Sequence, residues 1–187
     1  MTAAARIPGL GEPDALTPGE EGAVRRAARS RGAAIIVVLL DAGVRAEQCA
    51  CLDAGTSRLP PAPARSACTE RGDEVRFVPL SKRARDLVSA WLDERGRHPG
   101  PAWHGQRGPL TIAGITQVVL AAGAAAGIPG LRPHRRRHTF GTRLRLGGAG
   151  PAQVRALLGH ASLDASARYF RAGAAENAAA IERIFEQ

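Results

Sequence analysis

The chain has 187 residues, close to the ~150 of one typical domain, and its 44% hydrophobic and 23% charged residues exclude disorder along the whole length. Its longest unbroken apolar run, Ala33 to Leu40, is far short of the ~20 residues of a membrane span, and the N-terminus carries no signal-peptide apolar core, so a cytoplasmic protein without membrane contact is expected. The formal net charge is +9, and the three cysteines, Cys49, Cys51 and Cys68, lack paired CxxC spacing, which argues against a disulfide framework or a zinc cage and for reduced, structural thiols.

Residues 1–16, with Pro8, Gly9, Gly11 and Pro13 and no apolar period, predict a loose tail, and one domain is expected over 17–187. Thr17, Pro18 and Glu20 have capping-box spacing, which predicts a helix running to about Arg31. Ala33 to Leu40 fits a buried helix or a strand equally well, because Ile35 to Val38 are β-branched. Between Gly55 and Leu80, prolines followed by the alternation of Glu74 to Val78 predict short strands in a small antiparallel sheet. Ser81 can cap a helix with Ala84, Leu87, Val88, Trp91 and Leu92 on one face, ending at Gly96, and residues 96–109 read as a loop. Thr111 opens a helix that closes at Gly127; His134 to Leu146 follows Pro133 as another; Gly150 and Pro151 start a third; and Ser162 can cap a fourth carrying Tyr169. The fold class is therefore α+β, mostly α, with a small antiparallel sheet.

The charge is concentrated. Between Gly130 and Arg171 there are nine arginines against the single acid Asp164, a net of +8, which leaves +1 for the rest of the chain. Such a segment is the electrostatic footprint of a polyanion-binding surface. On the helix from His134, residues 134, 137, 138, 141 and 145 share one face, so His134, Arg137, His138 and Arg145 surround Gly141, with Arg132 and Arg135 at the helix start. Two imidazoles and several guanidiniums at the positive end of a helix offer donors to an anion, and phosphate suits them. His134 and His138 have the i, i+4 spacing of a zinc pair, but Arg135, Arg136 and Arg137 lie between them and no glutamate base is present, so no metal is expected. Tyr169, the only tyrosine, gains interest from this company: a phenol oxygen can attack a phosphodiester where cationic donors stabilise the transition state.

His134-x-x-Arg137-His138-Thr139-Phe140, then Leu157-Leu158-Gly159-His160, then Tyr169 resembles the C-terminal signature of the tyrosine recombinase (phage integrase) family, with the family's spacing and no gap. Ala42-Gly43-Val44-Arg45 followed by Leu52 is similar to the box holding the family's first catalytic arginine, and Arg76 to Leu80 to the end of its β-hairpin. The resemblance implies that Arg45, His134, Arg137 and His160 hold a scissile phosphate of double-stranded DNA. Tyr169 would attack it, leaving a 3′-phosphotyrosyl bond and a free 5′ hydroxyl, with no cofactor. Arg132, Arg135, His138 and Arg145 would be further DNA contacts. A non-catalytic DNA-binding relative and a helix-turn-helix regulator are the alternatives, separated from the enzyme by a covalent DNA adduct dependent on Tyr169.

Three positions depart from the family pattern. Arg71 stands where the family's hairpin lysine, which would protonate the leaving oxygen, should fall, Gln48 replaces an acid after Arg45, and Arg136 takes a usually apolar site in line with Phe140 and Leu144, from which its head is expected to reach out past the core. The family's helical core-binding domain is expected to be absent and the grip on DNA correspondingly weak. Ala178, Ile181, Ile184 and Phe185 form an apolar face on a short C-terminal helix, which would dock either on its own domain or, as the resemblance implies, on a neighbouring copy, giving a homo-oligomer on DNA.

Overall fold

Thr17 starts the first helix as its sequence dictates: its hydroxyl accepts from the Glu20 N–H at 3.2 Å while Glu20 Oε2 accepts from the Thr17 N–H at 2.8 Å, opening α1 (Pro18–Ala27). The computed structural model describes residues 15–55, 65–69 and 75–159. The expected continuation of α1 to about Arg31 does not occur. Ala28 and Arg29 are extended, Ser30 takes a left-handed φ of 44°, and a second helix, α2 (Ser30–Asp41), begins there. The break lets α1 fold back on α2, and the Ser30 hydroxyl donates to Glu94 across the fold.

The ambiguous run is resolved as helix. Ala34 to Leu40 are each no more than 1% exposed, because α2 is enclosed by α1, by α4 (Lys82–Arg95), by α5 (Ile112–Ala125) and by α6 (Pro133–Leu146). A helix satisfies its own backbone groups, so an apolar segment can be wet on no side without needing strand neighbours. Ala42 to Arg45 then turn the chain into the short α3 (Ala46–Ala50).

The small sheet pairs β1 (Arg65–Thr69) with β2 (Val75–Pro79) antiparallel, Ala67 opposite Phe77. Ser81 caps α4, accepting from the Ala84 N–H at 3.1 Å and donating to Asp41 Oδ2 at 2.6 Å, which fixes α4 to the end of α2. Residues 96–109 are not wholly loop. Asp53 bridges to Pro101, and β3 (His104–Gly105) pairs with β4 (Gly108–Pro109). The reason is two indoles: Trp91 Nε1 donates to Ala102 O at 2.8 Å and the buried Trp103 donates to Cys49 O at 2.7 Å, drawing this proline-rich stretch onto α3 and α4. After α6, α7 (Pro151–Leu158) ends at Gly159 in the left-handed conformation.

The described architecture is mostly helical with a small antiparallel sheet, as the sequence predicts. The main core gathers around α2, and a smaller one of Phe140, Val154 and Leu158 joins α6 to α7. Among the described residues no helix is long and apolar enough to cross a membrane. The expected helix from Ser162 and the C-terminal apolar face lie outside the described residues.

Candidate functional site

Helix α6 does not present the single wet basic face that its spacing suggests. Every residue from Arg136 to Thr142 is buried, with Arg137 5% and His138 3% exposed. Solvent reaches α6 at its two ends: Arg132 and His134 are exposed at the start and Arg143 and Leu146 at the finish, while Arg145 is half-buried. Helical periodicity assumes one neighbour on one side. Here α2 packs on one flank and α7 on another, so both stripes of α6 are covered.

Arg137 is the joint of this region. Its Nη1 donates to Gly43 O at 2.6 Å and its Nη2 donates to Leu158 O, so one guanidinium ties α6 to the α2–α3 turn and to the end of α7. Gly43 stands two residues before Arg45, the N-cap of α3, so the contact brings Arg137 to the turn that carries Arg45. Gln48, which departs from the family's acid, caps that helix by accepting from the Arg45 N–H at 2.9 Å and thereby holds the Arg45 backbone in place. His134 lies three positions before Arg137, adjacent on the helix, at the exposed positive end of α6. Arg45, His134 and Arg137 thus come from the α2–α3 turn and the first turns of α6, elements held together by Arg137 itself. His160, Tyr169 and Arg71 lie outside the described residues.

Two arginines of the basic segment have acidic partners that the sequence did not reveal. Arg135 Nη2 pairs with Glu20 at 3.2 Å, and Arg143 Nη1 with Glu21 at 2.9 Å, both from the first turn of α1. Burial works against the Glu20 charge, yet hydrogen bonds from Thr17 and the charge of Arg135 outweigh it and hold the carboxyl below its usual value. This lowered carboxyl contributes stability at neutral pH that is lost as acid protonates it. Leu16 N–H donates to Thr139 Oγ1 at 2.9 Å, and Thr139 donates to Arg135 O at 2.8 Å, so the segment entering α1 is also pinned to α6. The acid pair Glu20–Glu21 was the available signal, but nothing in its local spacing says that it faces a helix more than a hundred residues away.

Arg136 overturns its expected placement. Its head does not reach out past the core: the residue is 0% exposed, and among the described residues none of its Nε, Nη1 or Nη2 has a hydrogen-bond partner. Burial pushes the guanidinium down to about 9, partly offset by the charge of Cys49. The reason is position: residue 136 begins the fully covered stretch of α6, Arg136 to Thr142, where an apolar side chain would fit without penalty.

The chemistry assembled here is cationic and N–H-rich, a donor set for anions, on a mostly helical scaffold around a buried central helix. The chain belongs to the phage integrase family, which it matches over residues 21–176. Tyrosine recombinase XerC of Erythrobacter litoralis is 30% identical over 144 residues, covering 76% of this chain and 46% of that protein. XerC of Corynebacterium efficiens is 36% identical over 103 residues, 53% of this chain and 33% of that one. The chain therefore spans between a third and a half of these relatives. In fold it resembles the crystal structure of XerA recombinase, with TM-score 0.78 and 23% identity over 91% of this chain and 65% of that one. It likewise resembles XerH site-specific recombinase bound to difH substrate, with TM-score 0.77 and 24% identity over 91% and 54%.

Proposed function

We propose that this chain cuts and rejoins duplex DNA at specific sites through a covalent phosphotyrosyl intermediate. The observation that carries the reading is Arg137, a buried guanidinium that joins the turn of Arg45 to Leu158 at the end of α7, two residues before His160. In this reading Arg45, His134, Arg137 and His160 surround the non-bridging oxygens of one phosphate and stabilise the charge that builds on them. The Tyr169 oxygen attacks phosphorus, its proton passes to solvent or a neighbouring base, and the bond from phosphorus to the 5′ oxygen breaks. The DNA 3′ phosphate is then esterified to Tyr169, and the 5′ oxygen leaves as a hydroxyl after taking up a proton. Attack by a 5′ hydroxyl of another strand reverses these steps, and since the bond energy is kept in the ester no cofactor is needed.

By the family's sequence pattern, Arg71 stands in place of the lysine that would protonate the leaving oxygen. A guanidinium keeps its proton far above neutral pH, so it stabilises negative charge but donates that proton poorly, and in this reading leaving-group departure is slowed. Arg71→Lys is expected to raise the cleavage rate, by roughly ten-fold or more given the ~10²–10⁴ worth of a positioned general acid. An unchanged or lower rate in single-turnover assays would remove Arg71 from this role.

The deciding experiment incubates the protein with a nicked duplex that traps the cleaved strand. A covalent protein–DNA band that disappears in Tyr169→Phe supports the reading; a band that persists in that variant, or none under any condition, defeats it. Duplex DNA should also bind with an affinity that falls with salt by ~0.9 log units per phosphate contacted for each log unit of salt. Arg132 and His134, exposed at the start of α6, are proposed to contribute to that slope, with Arg145 and the Glu20-paired Arg135. Arg132→Ala should reduce it by about one contact, as read from filter binding across a salt series.

A further inference from the structure

Asp41 ends α2 four residues before Arg45, and its carboxylate is nearly buried, with the side chain 10% exposed. Three elements besides its own reach it. Arg25 Nη2 of α1 donates to Oδ1, and the same nitrogen donates to Glu21 Oε1 at 2.7 Å. Ser81 donates to Oδ2 at 2.6 Å from the start of α4. Arg143 Nη1, from the last turn of α6, stands 3.7 Å from Oδ1 and donates to Glu21 Oε1 at 2.9 Å. Two carboxylates and two guanidiniums cancel in charge; without Arg143 one nearly buried acid would lack a countercharge, a costly state.

The place of this junction gives it a consequence. Arg137 Nη1 holds Gly43 O at 2.6 Å and Arg143 faces Asp41, so α6 meets the end of α2 at two points, two residues apart on α2 and six apart on α6. A single point would let the turn pivot, whereas two fix the direction in which it leaves toward Arg45. Ser81 lies two residues beyond β2, which follows Arg71 in the chain, so Asp41 Oδ2 ties the end of the hairpin to the same place. We propose that Asp41 is a positioning residue for strand transfer: its carboxylate gathers α1, the start of α4 and the end of α6 at the base of the Arg45 turn and so sets Arg45 against Arg137. The positioning role rests on the recombinase reading. The junction does not.

Urea unfolding of Asp41→Ala, Ser81→Ala and the double variant tests the junction without reference to activity. Ser81→Ala also removes the cap of α4, a loss common to both backgrounds that drops out of the comparison. The midpoint of the double variant is expected to fall by less than the two single shifts together. Additive shifts overturn the junction.

The positioning role is read from single-turnover cleavage of the nicked duplex at saturating protein. Asp41→Asn keeps the shape of the side chain but offers one acceptor oxygen where the junction uses two. It is expected to slow cleavage by on the order of ten- to a hundred-fold at unchanged DNA affinity, since small misplacements of a catalytic group cost about that much. A general loosening of the fold would slow cleavage equally whatever stands at position 45, so the same substitution is repeated in Arg45→Lys. There it is expected to cost far less, because a residue that acts through Arg45 has little left to position. A native rate for Asp41→Asn, or an undiminished cost in the lysine background, overturns the positioning role. Arg143→Gln, at an exposed position, decides the question if Asp41→Asn does not fold: slower cleavage at saturation supports the role, while weaker binding with a native saturated rate makes Arg143 a DNA contact and overturns it. A native protein that never forms the adduct defeats the recombinase reading and the positioning role with it, while the urea comparison still decides the junction.

Discussion

Arg137→Lys is expected to lower the single-turnover cleavage rate by ~10²–10³, the usual cost of removing one preorganised donor from a transition state, while DNA affinity changes by no more than a few-fold. One phosphate contact among several is a small part of ground-state binding, whereas charge that develops only at the cleaved phosphate feels the loss in full. Lysine keeps the charge, so the loss comes from geometry. The Arg137 fork reaches Gly43 O on one side and Leu158 O on the other, and an ammonium on a flexible stem cannot span both carbonyls while keeping a planar face for an oxyanion. Arg137→Ala should be worse in a different way: it leaves two carbonyls without that donor in a buried region, so part of its effect will appear as a lower thermal midpoint. A lysine variant that keeps a third or more of the native rate would show that the bidentate tie is dispensable.

The contrast between Arg137 and Arg136 shows what the sequence could and could not convey. The spacing of His134, Arg137, His160 and Tyr169 carried the expectation of a phosphate site, proposed above, without any three-dimensional information, because the signature is the order of residue types along the chain. The caps were equally legible: Thr17, Ser81 and Thr111 each accept a backbone N–H of their helix's first turn. What failed was inference about surroundings. The periodicity of α6 correctly made it helical but could not show that α2 and α7 would cover it on two flanks, so Arg137 and His138 were expected on a wet face and are buried. Ala33 to Leu40 was undecided because β-branched residues suit a strand, and only enclosure by four helices makes the helix the better solution. The break at Ala28–Arg29 carries neither glycine nor proline, so no local signal announced it. The acids of α1 that neutralise Arg135 and Arg143 are likewise contacts between elements far apart in the chain, which spacing does not encode.

Gly43→Ala is expected to destabilise the fold by about 2–5 kcal/mol, combining ~1–2 for a left-handed non-glycine residue with ~1–3 for overpacking. Gly43 has φ +59°, and a Cβ built there would stand 2.2 Å from Phe140 Cδ1 and 2.8 Å from Cγ, distances no real methyl tolerates. Phe140 has little room to yield, since it packs with Val154 and Leu158 in the small core that holds α7 to α6. The backbone cannot yield either without moving Gly43 O away from Arg137 Nη1 and turning Arg45 with it. Urea unfolding of the single and double variants separates the two costs. Phe140→Leu in the alanine background should return the packing part, giving a favourable coupling between the positions, and leave the conformational part in place. Gly43→Asn tests the other half: asparagine enters the left-handed region more readily than alanine, yet its Cβ meets the same ring. If the ring dominates, asparagine is as harmful as alanine, and if backbone strain dominates, it recovers most of the loss. A destabilisation below ~1 kcal/mol for Gly43→Ala would mean that the turn and Phe140 adjust together, and that the close approach of the Arg45 turn to α6 does not depend on the missing side chain at position 43.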